Sequence, residues 1–129
     1  MQYIIMLLIV IGLAAADFVT GFCKAYVLDI IDSAKMRKGG VNKLCEIIVM
    51  TTVIGLNIGF DFLGRYYDSR TLTDIAGAVT AVGVFGYIVL MELVSILENY
   101  AAVNPEAAWI RPILRRLKNI DRRNDGGDT

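Results

Sequence analysis

The chain has no histidine, only 2 cysteines and only 2 prolines among its 129 residues. Without histidine there is no imidazole base, no Ser–His pair and no imidazole metal ligand. Two cysteines neither close a zinc site alone nor build a disulfide framework. Net charge is missing as well, because 13 Lys and Arg balance 13 Asp and Glu. A nucleic-acid partner is therefore not expected. The 9% aromatic share and the scarcity of proline argue against low complexity. No catalytic residue set, metal site or cofactor site is expected.

What the sequence does have is apolar surface. Hydrophobic residues make up 56% of the chain, glycine adds 12 residues, and the mean hydropathy is +0.56. A soluble domain of this size has too little interior to bury so much. Lipid is the simpler solvent. Three stretches carry no charge: 1–16, 47–60 and 75–91. As helices they measure roughly 24, 21 and 26 Å, short of a hydrocarbon core of about 30 Å. Each reaches spanning length by drawing polar neighbours toward the interface: Asp17 in the first, Glu46 and Asp61 in the second, Glu92 in the third. The expected fold is all-α and integral to the membrane, with three transmembrane helices over about 3–24, 44–64 and 75–97. Ala14-Ala15-Ala16 resembles a signal-peptide cleavage site, but Met1-Gln2-Tyr3 lacks the basic start such a peptide needs, so the first run is expected to stay as a span.

Orientation follows from the basic residues. Lys24, Lys35, Arg37, Lys38 and Lys43 surround the first connection, whereas the second holds only Arg65 and Arg70. The C-terminal segment carries Arg111, Arg115, Arg116, Lys118, Arg122 and Arg123. Three spans put both basic segments on one side, so the N-terminus is expected outside and the C-terminus in the cytoplasm. Cys23 and Cys45 then lie near the cytoplasmic face and read as ordinary thiols.

Ile110, Ile113, Leu114 and Leu117 repeat at helical spacing among Arg111, Arg115, Arg116 and Lys118, with Trp109 ahead of them. Pro112 suits a first turn, which predicts an amphipathic helix over about 110–120. Two placements fit it equally: flat on an anionic lipid surface, or packed on a partner subunit. Residues 1–120 thus form one membrane domain, and 121–129 read as a disordered charged tail.

Polar and small residues recur in stripes. Asp17, Thr20, Gly21 and Lys24 share one helical face, either as partners across subunits or as the point where the helix leaves the membrane. Thr51, Thr52, Gly55 and Gly59 form a small stripe containing a GxxxG match, with Asn57 and Asp61 on another face. Asp61 reads either as a bundle-interior carboxylate or as an interfacial one. The third span has a small face at Ala76, Thr80, Gly83 and Tyr87, then Glu92, Ser95 and Asn99 at helical spacing with Glu98 beside them. That second stripe suits a wet lumen, a subunit contact or a helix end entering water. Stripes on every span favour large homo-oligomers over a lone three-helix monomer.

Two of these motifs carry a family resemblance. Asp17-Phe-Val-Thr20-Gly21-Phe-Cys-Lys24-Ala25, followed by Ser33, Gly39-Gly40 and Lys43, resembles the start of the toxin secretion/phage lysis holin family. Glu92-Leu-Val-Ser95-Ile96-Leu-Glu98-Asn99, followed by a Pro105 linker and a basic amphipathic tail, is similar to that family's later signature. The chain departs from the pattern at Met91, where a polar residue is usual, and in a linker without glycine. The likeness covers nearly the whole chain. It implies a non-enzymatic protein that gathers in the bacterial cytoplasmic (inner) membrane of a host and opens lesions. These collapse the membrane potential and release an endolysin, in some systems under an antiholin. A charged Asp61 or Glu92 would make the step sensitive to that potential. The competing functions are a non-lytic toxin-export pore and a membrane scaffold without a pore.

Overall fold

A computed structural model describes residues 1–68 and 70–125 of the chain. Its helices are α1 (Gln2–Val27), α2 (Ser33–Tyr66), α3 (Arg70–Val103) and α4 (Ile110–Asp125). Helix α1 stops where Asp29 takes a positive φ of 53°, a conformation aspartate tolerates better than most residues. There Leu28 N–H donates to Lys24 C=O at 3.0 Å and Ile30 N–H to Ala25 C=O at 2.9 Å, satisfying carbonyls of the last turn. Asp32 then starts α2. Its carboxylate accepts from Ala34 N–H at 2.8 Å and Lys35 N–H at 3.3 Å.

That cap changes the expected layout. The basic stretch before residue 44 is mostly helix, not loop, because nothing after Asp32 breaks the helix and Gly39-Gly40 does not interrupt it. Helices α2 and α3 have 34 residues each, about 51 Å, against roughly 40–45 Å for a bilayer with its headgroups. The short apolar runs are thus the middles of long helices whose ends reach past the lipid.

Helix α3 is the hub, packed on α1, α2 and α4. It returns antiparallel beside α2 after a turn at Tyr67 and Asp68, where Asp68 again has φ 53°. One close approach is set by Gly77 of α3, where an added Cβ would overlap the Asn57 side chain of α2. The apolar core is thin: Val10, Met50 and Ile88, one from each long helix, flanked by Met6, Leu7, Ile47, Ile54, Val84 and Phe85. Most apolar side chains point outward, including Ile4 at 64%, Leu8 at 62% and Val79 at 67% exposure. Only 17%, 22% and 17% of the apolar windows of α1, α2 and α3 is buried. Lipid covers the rest, and the fold is three membrane-spanning helices with a shorter fourth.

Helix α4 docks on α3 of its own chain. Ala107 and Ile110 are buried at the junction, and Lys118 pairs with Glu98. Neither expected placement anticipates this contact, which holds α4 beside the membrane end while Trp109, Ile113 and Ile120 stay exposed. The helix also runs past the expected end near Ile120 to Asp125, since Asp121-Arg-Arg-Asn-Asp125 contains no breaker before Gly126. Residues 126–129 of the expected disordered tail lie outside the described residues.

The Asp32 cap yields a stability prediction. Asp32→Ala removes both side-chain bonds at the start of α2 and lowers stability by about 1 kcal/mol. Thermal unfolding of the purified protein in mild detergent measures it, and an unchanged midpoint would show that the cap is dispensable.

Candidate functional site

The uncharged runs stop at one level. Asp17 follows the first, Glu46 precedes the second and Glu92 follows the third. Because α1 and α3 run opposite to α2, the three carboxyls meet at the same end of the bundle. Lys43, three residues before Glu46 on α2, brings its ammonium into their midst. Its Nζ lies 2.8 Å from Asp17 Oδ2 and 3.6 Å from Glu46 Oε2, and it donates a hydrogen bond to Glu92 Oε1. One cation therefore ties α1, α2 and α3 together.

Burial makes the contact consequential. The side chain of Glu92 is 0% exposed, that of Asp17 10% and that of Lys43 19%. A buried charge without a partner loses several kcal/mol of hydration, so each of these groups depends on the others. Asn99 of α3 completes the shell, its Nδ2 donating to Asp17 Oδ1 at 3.1 Å and Thr20 Oγ1 at 3.3 Å. Thr20 in turn donates to the Asp17 C=O at 3.0 Å. Gly21 borders this shell: a Cβ there would make ordinary contact with Asn99 Nδ2, at 3.5 Å. Two acceptors stay unmatched, Glu46 Oε2 and Glu92 Oε2, both buried.

Above the layer, toward the basic end, lies a cavity of about 330 Å³ lined by Asp17, Lys24, Lys35, Lys43, Ser95 and Asn99 among others. Phe18, Phe22 and Met36 make much of its wall, and the charged and polar groups set among them, with that size, admit water. A second opening of about 430 Å³ lies between α2 and α3, almost wholly apolar, with Glu46 at its edge beside Val49, Val84 and Tyr87.

The structure thus gathers Asp17, Thr20, Gly21, Glu92 and Asn99 into one cluster, with Ser95 and Lys24 on the adjoining cavity. It separates the others. Asp61 pairs with Arg65 one turn along α2 at 2.6 Å, half-exposed at the opposite end of the bundle. Asn57 packs on Gly77, while Gly55 and Gly59 face open space. Glu98 pairs with Lys118, and Trp109, Arg111, Arg115 and Arg116 are exposed.

The residue missed from sequence is Lys43 as the counter-ion, and with it Glu46 as a member of the cluster. A signal was present. Each of the three carboxyls sits one residue outside an uncharged run, and Lys43 stands one turn from Glu46 on α2.

Removal of this cation separates a buried network from surface pairing. Lys43→Met strands Asp17 and Glu92, a loss of about 3–5 kcal/mol for a buried pair. Asp61→Asn breaks an exposed pair and changes stability by about 1 kcal/mol or less. Thermal melting of both variants in detergent tests the contrast, which equal shifts would overturn.

Among known protein families, a model of the bacteriophage holin family matches residues 1–119. No curated protein and no solved structure matches the chain. The holin family is not a family of enzymes. The match takes in all three apolar helices, the ionic layer between them and the docking turn of α4, and so the chain, a multi-pass membrane protein, belongs to the bacteriophage holin family.

Proposed function

We propose that the chain accumulates in the cytoplasmic membrane of a bacterial host, associates with further copies of itself, and opens lesions that free an endolysin. The observation that carries this reading is the pairing of a lipid-compatible exterior with a charged interior. In the closed chain, Lys43 offsets part of the charge of carboxyls that lipid does not tolerate alone. If the helices part within an assembly, Lys43, Asp17, Glu46 and Glu92 become the polar lining of a water-filled gap. The same residues suit both states, which fits a protein that is harmless until it rearranges.

Outward small faces support self-association. Gly55 and Gly59 on α2 and Gly83 on α3 have open space where a Cβ would stand, allowing close approach of another helix. Thr51, Thr52 and Thr80 bond their hydroxyls to carbonyls of their own helices at 2.8 Å, so these faces are compatible with lipid beforehand. The basic residues Lys24, Lys35 and Lys43 and the basic helix α4 gather at one end. This favours a cytoplasmic C-terminus and an external N-terminus by the positive-inside rule, with contacts to anionic lipid headgroups. An endolysin, or another exported protein, is then a partner in function without a docking contact, and an antiholin would act on the assembly.

Induced expression in bacteria tests the reading. Growth should continue and then stop abruptly, earlier on addition of an energy poison, with lysis only when an endolysin is co-expressed. Steady growth despite membrane accumulation would overturn it, as would protein release without loss of viability, the mark of an export pore.

The trigger has a candidate residue. Moving one charge through 100 mV is worth about 2.3 kcal/mol, enough to bias a rearrangement. Glu92, buried in the ionic layer, is placed to feel that change, whereas Asp61 is neutralised locally by Arg65. Glu92→Gln is expected to shift lysis time strongly and Asp61→Asn weakly. Unchanged timing in Glu92→Gln at equal expression would remove Glu92 from the trigger.

A further inference from the structure

We propose that the Glu46–Glu92 carboxyl pair is a proton-binding site inside the bundle, which holds one proton in the closed chain. Three carboxyls, Asp17, Glu46 and Glu92, converge on one ammonium. If all were ionised, the layer would carry two negative charges more than its lysine neutralises. Asp17 is provided for: it has the 2.8 Å contact with Lys43 Nζ and the Asn99 hydrogen bond. The glutamates are not. Glu92 accepts from Lys43 with Oε1 only, Glu46 reaches the ammonium through Oε2 only at 3.6 Å, and neither Oε2 atom, both buried, has a hydrogen-bond donor among the described residues. Glu92 is wholly buried, so bulk water does not reach its unmatched oxygen.

The charged groups around Glu92 are accounted for on every packed element. Helix α1 contributes Asp17 and α2 contributes Lys43 and Glu46; on α3 itself, Glu98 is turned to Lys118 of α4. A small positive species bound to the pair supplies what is absent, a donor between two acceptors. A proton fits better than a metal ion, because two unmatched oxygens suffice to share one proton, whereas a hard metal ion takes about six or more oxygen ligands. The surroundings give each end of the site a distinct access. The cavity beside Asp17, Lys43 and Asn99 offers water a route for proton exchange, and the apolar opening beside Glu46 lies between α2 and α3.

This inference rests on the membrane placement but not on lesion formation, and its test needs no lysis. The full chain is reconstituted in phosphatidylethanolamine–phosphatidylglycerol vesicles and treated with the lipid-soluble dicyclohexylcarbodiimide. Only a protonated carboxyl reacts: its proton passes to one carbodiimide nitrogen, its oxygen bonds the central carbon, and the acyl group then shifts to nitrogen as a stable urea. Mass spectrometry of the digested chain is expected to find the adduct on Glu46 or Glu92 at neutral pH, lost at strongly alkaline pH and unchanged by added sodium. Adducts confined to Asp61, Glu106 or Asp17 would overturn the proposal. So would an alkaline-insensitive yield, or protection by sodium at constant pH, which would assign a metal ion instead. A second readout is independent of reagent access. The infrared carbonyl band of a protonated carboxyl is expected in the vesicles at neutral pH and lost in the Glu46→Gln/Glu92→Gln double variant; its absence from the unaltered chain would also overturn the proposal.

Discussion

A single ammonium group organises the closed chain. Lys43 is the one side chain shown to contact acidic groups from α1, α2 and α3, and without it nothing described in the bundle offsets the charges of Asp17 and Glu92. The hydrophobic effect does not perform this task. In lipid, separated and packed helices present apolar surface to similar surroundings, so association rests on close packing and polar contacts. The small core of Val10, Met50 and Ile88 supplies packing, and the Gly77–Asn57 approach tightens it. The ionic layer supplies the contact whose loss is expensive. It also fixes the relative level of the helices, because a slide of one turn, about 5.4 Å, would carry a carboxyl out of reach of Lys43.

The two ends of the bundle solve the charge problem differently. At the Asp61 end the pair is local, made within one helix and half-exposed, so it neutralises charge without joining helices. At the Lys43 end the pairs are made between helices and buried. Separation of the helices therefore leaves the first end chemically unchanged and exposes the second. Under the proposed function, a rearrangement that admits water would expose the Lys43 layer, where the desolvation that makes the contacts strong is relieved as soon as water enters.

Much of this was legible in the residues. Uncharged runs, the balance of charge and the basic segments were enough for three spans with an amphipathic helix after them, and Asp17, Thr20, Gly21, Glu92 and Asn99 each stood out in a stripe of small or polar residues. Their convergence was not. Helical spacing reports which residues share a face of one helix, but not which faces of different helices meet. Spacing offered Lys24 and Asp17 as partners across subunits, while the partner within the chain comes from α2, in a stretch that reads as loop until Asp32 is seen to cap it. The GxxxG match misled in the opposite direction. Gly55 and Gly59 suggest packing, yet within the chain they face outward, and close approaches between α2 and α3 are made by Gly64 and Gly77, which belong to no motif.

The shortness of the apolar runs then takes on a physical meaning. A run of 16 or 17 residues fails to span a bilayer only if the polar residue at its end must be solvated by water. Here that residue is solvated by protein. Lys43 allows Asp17, Glu46 and Glu92 to lie deeper than free carboxylates tolerate, so the spans gain length from a polar layer paired within the protein in place of apolar side chains. Such a span holds its depth only while the layer is intact. A conventional span of about twenty apolar residues would keep the helices in the bilayer whatever their neighbours did. These helices instead depend for their placement on the same contact that closes the bundle, so disturbing that contact changes both their packing and their fit to the membrane at once.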